Sequence, residues 1–306
     1  MGVLKKYKKI SLLQGGISDE SEISLLSAKE VHRVLKDKFD VTLINVNRNC
    51  AKLISDIKKS KPDIIFNCLH GYFGEDGQIQ AILNYLQIPY THSAVLASSV
   101  SMNKYFSKIL FEKFGINTPK GNLITNISTE KKLDFPLIVK PICGGSSNQL
   151  LKIDDVKQLN TFLKNKENFL KNFIYEEFIS GRELTVGILD NRVCGVMEII
   201  FDDEVYDYKN KYLKIAKHEI NPKLPKSILK SLKSISEDVH NKLECNCVSR
   251  LDFRYDEKNK KVYLLEINTQ PGLTKNSLLP EMAAAKGINF LELCEIILSN
   301  PECVIS

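Results

Sequence analysis

Nothing in this chain approaches the run of about eighteen apolar residues that a membrane-spanning helix needs, which excludes a transmembrane span and a membrane partner. No secretory leader is expected either. The opening MGVLKKYKKISLLQGG carries charge, but Ile10–Leu13 is too short for an apolar h-region and reads as a first strand. Lys6 stands where a myristoylation signal would place Ser or Thr, so no lipid anchor is expected. Eight cysteines in 306 residues are too dilute for a disulfide scaffold. Cys245 and Cys247 lie close together, but no second pair or His cluster gives zinc-ligand spacing. Most of the cysteines are expected to be small buried hydrophobes in a reducing compartment, which makes the cytoplasm the expected location. Arg-rich patches are missing too. Lys+Arg 43 against Asp+Glu 37 gives a net charge of +6, spread mostly as Lys pairs, and no nucleic-acid partner is expected. So mild an excess could still help attract an anionic substrate such as a nucleotide.

What is present is ordinary globular composition, 43% apolar and 26% charged, with no fixed-period repeat and no low-complexity linker. The first ninety residues alternate short apolar runs with helical patterns. Strands are predicted at Ile10–Leu13, Val41–Val46 and Asp63–Cys68, and helices at Glu22–Lys36, Lys52–Lys59 and Gln78–Leu86. On the first helix, Ile23, Leu26, Val31 and Leu35 are expected to form the buried face. This alternation implies βαβ units and a parallel sheet, with ligand-binding loops at its carboxyl ends, here Gln14–Asp19 and Leu69–Gly77. A helix at Asn103–Phe114 ends at Gly115, with Pro119 beyond it. The middle and end of the chain read as mixed α+β. Strands are predicted at Phe135–Lys140 and Phe173–Phe178, a hairpin at Glu183–Leu189 and Arg192–Ile200, and two more strands at Ser249–Tyr255 and Lys261–Ile267. Helices are expected at Asp154–Lys164, after Pro222 to about Lys242, near Glu281–Lys286, and at Phe290–Leu298.

Three groups of residues could carry chemistry. Arg250 and Asp252 alternate on one strand, and Glu266 and Asn268 on the next, so each pair shares a face. If the strands are neighbours, two carboxylates and an amide oxygen converge beside a guanidinium, a hard-oxygen set suited to magnesium. The same residues could instead be the polar outer face of a hairpin with a cross-strand Arg–Glu pair. The following TQPGLTKNS loop, Thr269 to Ser277, favours a substrate-gripping role. The second group is PLIVKP, ending at Pro141, followed by Gly144, Gly145, Ser146 and Ser147. Its backbone N–H groups could cradle phosphate beside Lys140, although it lacks Walker A order and could also be a flexible turn. In a nucleotide site, Glu176–Ile179 could supply an adenine-binding edge and Glu183 a ribose contact, although a solvated acidic edge is the commoner meaning of such residues. The third group is the pair of N-terminal loops, GGISDE (15–20) and HGYFGEDG (70–77). They carry Glu20 and His70, either of which could also be purely structural, Glu20 as a helix-dipole partner.

Taken in order, these pieces resemble the D-alanine–D-alanine ligase family of the ATP-grasp superfamily along essentially the whole chain. The motifs are GGISDESEIS (15–24), NCLHGYFGEDG (67–77), IPYTHSAVLASSVSMNK (88–104), VKPICGGSS (139–147), YDYKNKY (206–212), SRLDF (249–253) and LLEINTQPGLTKNSLLP (264–280). The resemblance implies an α/β and α+β chain with a three-domain ATP-grasp fold. An N-terminal parallel α/β domain spans 1–92, a central domain 93–182 and a C-terminal domain with the metal site 183–306. It implies that Lys104 and Lys140 contact the nucleotide phosphates, that Glu176, Glu177 and Ile179 offer the adenine edge, and that Glu183 meets the ribose. Asp252, Glu266 and Asn268 would hold two magnesium ions, with manganese as a substitute, and ATP would be a co-substrate. Lys211 would neutralise phosphoryl charge, and Arg250 with the Gly272 N–H would stabilise an oxyanion. Glu20 would take the first D-alanine's ammonium and His70 would lie near its carboxylate, while Ser277 and the Leu278 backbone would hold the second D-alanine. Ser146 and Tyr212 would link with Glu20 to close the site.

The implied activity is ATP-dependent formation of D-alanyl-D-alanine for peptidoglycan by a homodimer. The alternatives are a ligase with another acceptor, such as D-serine, D-lactate or another amino acid, and a silent nucleotide-binding paralogue. The chain departs from the family pattern at Asn103, Gly144, Asn148-Gln149 and Lys275-Asn276. None of these removes a named site residue.

Overall fold

The computed structural model describes residues 7–127, 134–145, 149–201 and 216–303. Its first sheet is parallel, in the order β2-β1-β3, from β1 (Lys9–Gly15), β2 (Asp40–Val46) and β3 (Ile64–Asn67). Alternation along these strands feeds two separate cores. Ile10, Leu12, Ile64 and Phe66 pack against Ala28, Val31 and Leu35 of α1 (Ser21–Leu35). On the other face, Leu13, Ile44 and Ile65 pack against Leu53 and Ile57 of α2 (Cys50–Ser60), and against Ile79 and Leu83 of α3 (Gln78–Tyr85). Both faces are therefore covered, as a parallel sheet requires, and the carboxyl ends stay open for loops.

Two helices follow, α4 (Val95–Met102) and α5 (Lys104–Lys113). The first was not predicted. Its buried positions are Ala97, Ser98 and Ser101, too small and polar to print an apolar stripe. Next comes an antiparallel sheet of order β4-β7-β5-β6, built from β4 (Gly121–Leu123), β5 (Leu137–Pro141), β6 (Leu151–Ile153) and β7 (Phe173–Glu177). The helix α6 (Val156–Asn165) covers one face of it through Leu159 and Phe162. The three-residue strands β4 and β6 are too short to show a period-two pattern, and they too were missed.

The third sheet is antiparallel, in the order β10-β9-β8-β11-β12. Its strands are β8 (Arg182–Leu189), β9 (Arg192–Ile200), β10 (Lys217–Ile220), β11 (Val248–Asp256) and β12 (Lys261–Asn268). Asp190 and Asn191 both have positive φ (53° and 60°), the conformation of a type I′ hairpin turn, as their sequence suggested. One face buries Leu184, Val186, Leu251, Phe253 and Leu264 against Ile228, Leu232 and Val239 of α7 (Lys226–Lys242), with Phe111 of α5 in the same core. The opposite face carries α8 (Leu278–Ala285), whose Met282 side chain lies so close to Gly187 that a Cβ there would come within 2.8 Å of its Cε. Leu293 and Ile297 of α9 (Phe290–Ser299) return to the core under the first sheet, and Glu302 bridges Tyr90.

Helix α1 departs from its expected face. Val31 and Leu35 are buried, but Leu26 is 51% exposed and the inner positions are Ser24, Ser27 and Ala28. The physical reason lies at the site: the N-terminal half of α1 turns Ser27 toward the buried His70, while Ile23 and Leu26 border an open cavity.

Candidate active site

The cavity occupies about 640 Å³, within the range of small-molecule sites, and it lies where the three sheets meet. Each sequence-predicted site residue among the described residues lines it. Glu20 and His70 sit at one end, Lys104, Lys140, Glu176, Glu177, Ile179 and Glu183 at the other. Arg250, Asp252, Glu266, Asn268, Gly272, Ser277 and Leu278 lie between them. Ser146, Lys211 and Tyr212 fall outside the described residues.

The hairpin β11–β12 builds the central wall. Its register sets Arg250 opposite Asn268 and Asp252 opposite Glu266, and a bulge separates Asp252 from Phe253. The bulge matters for pointing. Strict alternation would place Glu266 on the same face as Val262 and Leu264, which are buried in the core. Inserting Leu265 as the extra residue turns Glu266 to the cavity beside Asp252. Asp252 accepts from Thr185 Oγ1 at 2.7 Å, and from Arg250 at 3.0 Å (Nε) and 2.8 Å (Nη2). The guanidinium therefore pairs along its own strand, and Glu266 pairs instead with Lys104 Nζ at 3.3 Å. The Arg250 and Asp252 side chains are only 12% and 13% exposed, which does not fit a solvated hairpin face. Two carboxylates and the Asn268 amide oxygen, on one face of a rigid hairpin and open to a cavity, are a donor set that suits a hard divalent cation.

Lysines dominate the far end. Lys104 opens α5 and donates to the Gly144 carbonyl at 2.6 Å, tying the glycine loop after β5 to the hairpin carboxylate. Lys140, 5% exposed, meets Glu176 Oε1 at 2.6 Å, and Lys108 meets Oε2 of the same carboxylate at 2.5 Å. Burial alone would raise the Glu176 carboxyl, but the two ammoniums override it and hold the group below its ordinary range. Lys140 is likewise raised against its burial, by Glu176, Glu266 and Glu183. Arg254 pairs with Glu183 at 3.3 Å and donates to the Gly181 carbonyl at 2.9 Å.

The opposite end is built from the loops of the parallel sheet. His70 is 5% exposed; its Nδ1 lies 2.8 Å from Glu75 Oε1 and its Nε2 3.2 Å from Ser27 Oγ. Burial raises the Glu75 carboxyl despite the imidazole beside it. Ser18 Oγ donates to the His70 carbonyl at 2.6 Å, so the two N-terminal loops are stitched together. Glu20 sits where they meet the glycine loop. A Cβ on Gly71, at φ +68°, would come within 2.9 Å of Glu20 Oε2, and one on Gly145 within 3.1 Å. Between the ends, Ser277 Oγ accepts from the Thr274 N–H at 3.0 Å and lies 2.8 Å from Thr274 Oγ1, which shapes the loop into a cup ahead of α8.

Two of the departures from the family pattern have structural explanations. Asn103 caps α5 by accepting from the Phe106 N–H at 3.1 Å, the work an aspartate would do there. Gly144 has φ +115°, a conformation an acidic side chain would strain. Lys275 and Asn276 are exposed at the cavity edge, and Asn148 lies outside the described residues. The sequence reading overlooked Lys108, Thr185, Arg254 and Ser27. Lys108 carried a signal, since it stands four residues after Lys104 on one helix face.

Residues 47–93 match the D-ala D-ala ligase N-terminus family and residues 109–299 the D-ala D-ala ligase C-terminus family. The chain belongs to the D-alanine–D-alanine ligase family. A D-alanine–D-alanine ligase of Pelagibacter ubique is 43% identical over 96% of this chain and 98% of its own length. One from Wolbachia pipientis wMel is 40% identical over 95% of this chain and 93% of its own. Among solved structures, the Bacillus anthracis ligase complexed with ATP superposes with a TM-score of 0.81 at 29% identity, covering 95% of this chain and 96% of that one. The fold is that of its ATP-grasp relatives, with a parallel sheet and two antiparallel ones. No helix among the described residues is long and apolar enough to cross a membrane.

Proposed function

We propose that this chain joins two D-alanine molecules into D-alanyl-D-alanine at the expense of ATP, supplying the dipeptide used in peptidoglycan. The observation that carries the reading is one cavity lined by Lys104 and Lys140, by the Asp252–Glu266 carboxylate pair and by Glu20 with the buried His70–Glu75 pair, in a chain of this family. Lys104 and Lys140 would bind the nucleotide phosphates, the Glu176–Ile179 segment the base and Glu183 the ribose. Glu20 would hold the ammonium of the first D-alanine, with His70 near its carboxylate. That carboxylate attacks the γ-phosphorus, ADP leaves, and an acyl phosphate forms. The amine of the second D-alanine, gripped by Ser277 and the Leu278 backbone, then attacks the acyl carbon, loses a proton and expels phosphate.

Arg250 and the Gly272 N–H would face the oxyanion of that second step, where such donors contribute most. Asp252, Glu266 and Asn268 would hold two magnesium ions, or manganese, which when bound shield phosphate charge during transfer. Lys211 would add charge, and Ser146 and Tyr212 would close the site against water, which would otherwise hydrolyse the acyl phosphate. The division at 1–92, 93–182 and 183–306 is part of the proposal. The three sheets support it, although α4 and α5 pack on the third sheet's core. A cytoplasmic homodimer is proposed from the family resemblance.

The test is phosphate release from ATP with magnesium and D-alanine, against L-alanine, D-serine and D-lactate, with the product identified by mass. D-alanyl-D-alanine formed from D-alanine alone is the expected result. Turnover only with another acceptor, or none from a folded sample that binds ATP, rejects it. By the family resemblance, Tyr212 would favour D-alanine over D-lactate as acceptor, so Tyr212→Phe should raise any use of D-lactate, and an unchanged preference would refute that role.

A further inference from the structure

Lys108 is the one member of the buried Lys108–Glu176–Lys140 cluster that does not line the cavity. All three side chains are nearly sealed from water, at 8%, 3% and 7% exposure, and each carboxylate oxygen of Glu176 is held by a different ammonium. Burying three charges is costly, and a structural role alone would be met more cheaply by apolar side chains of the same volume. Charge counting shows what the third member adds. Glu176 with Lys140 alone is a neutral pair, so the Lys140 ammonium would face its own counter-ion rather than a ligand. With Lys108 bound to the other oxygen, the cluster carries one net positive charge, and Lys140 is its member at the cavity wall.

We propose that Lys108 is a positioning residue for the nucleotide: by sharing the Glu176 carboxylate from behind, it frees the Lys140 charge for an anionic phosphate chain. The placement of the groups suits that role. Lys108 stands one helical turn after Lys104, so a single short helix delivers one lysine to the Gly144 carbonyl and Glu266, and another to Glu176. The Asn103 cap fixes the start of that helix and hence both lysines. The inference rests on the reading of the cationic end as an ATP site, and it adds a residue that never touches ATP.

The experiment is calorimetric ATP binding, with magnesium present, to wild type, Lys108→Met, Glu176→Gln and the double variant, alongside steady-state KM values for ATP and D-alanine. Lys108→Met should weaken ATP binding by about tenfold or more, the scale of lost outer-shell support, with KM for D-alanine within about twofold of wild type. Because Lys108 acts through Glu176, Lys108→Met should change nothing further in the Glu176→Gln background. That arm still decides the matter if the single variant does not fold, since the double variant buries no carboxylate at position 176. ATP affinity of folded Lys108→Met equal to wild type would overturn the proposal. An equal loss in both backgrounds would overturn it too, as would a parallel loss for ATP and D-alanine together. Failure of wild type itself to bind ATP would instead sink the nucleotide reading on which the proposal rests.

Discussion

The two ends of the cavity hold charge in opposite ways. At the lysine end, Lys104, Lys108 and Lys140 are each tied to a carboxylate, and Glu176 serves two of them at once. Lys140 is raised despite its burial, because Glu176, Glu266 and Glu183 offset its desolvation, whereas burial outweighs Glu176 at Lys108 and lowers it. At the acidic end, Glu75 has the His70 imidazole and the Gly71 backbone beside it, yet burial dominates and raises its carboxyl. Glu20 lies against glycines of two loops instead. Under the proposed function, the difference is that the paired lysines of one end would meet the phosphate chain of ATP. At the other end, Glu20 would meet the ammonium of one D-alanine.

Four measurements would break or sharpen that contrast. The largest effect is expected from Glu266→Gln, which removes both a proposed metal carboxylate and the counter-ion of Lys104: ligation should fall about a thousandfold or more. Retained phosphate release in a folded sample would refute the metal assignment. Arg250→Ala should lower kcat by about 10²–10³, the scale of a lost oxyanion donor, measured as dipeptide formed per second at saturating substrates. Part of that loss would come from Asp252, left with Thr185 as partner.

Glu20→Gln tests the acidic end. The KM of the first D-alanine should rise about tenfold to a hundredfold, the scale of a lost charge-assisted hydrogen bond, while that of ATP stays put. A matching rise for ATP would show that the two ends are not separate. The smallest effect concerns pH and two imidazoles outside the chemistry. Burial lowers His92 to about 3, with His70 adding to the shift, and burial lowers His240 to about 4. Both folded values lie below those of the unfolded chain, so the unfolded state binds protons first as pH falls below about 6.5. Stability should then drop by up to about 1.4 kcal/mol per pH unit for each histidine, until pH reaches the folded values. Urea unfolding of wild type and of His240→Gln between pH 7 and 5 reads this directly. An equal pH slope in both would dismiss the buried-neutral account of His240.

Much of this was legible in the residues. The parallel sheet followed from strands alternating with helices, and the Asp190-Asn191 turn from its residue types. The charged motifs reached the cavity because loops at strand ends converge there. Helix α1 departs from its expected face because Ile23 and Leu26 serve a cavity rim, and amphipathic periodicity cannot tell a rim from a core. Helix α4 was hidden by its serines, and β4 and β6 by their length.

By itself, the sequence determined the kinds of groups available and their local spacing: which strand carries Arg250 and Asp252, which loop carries glycines, which turn can reverse. Only the tertiary structure decided who meets whom. The bulge at Leu265 turns Glu266 from the core face to Asp252, although no local pattern marks it. Glu176 lies 68 positions from Lys108, yet the two side chains are paired in the interior. Spacing along a chain fixes the direction of a side chain on its own element, whereas a counter-ion is chosen by packing between elements, where burial makes an unpaired charge too costly to leave.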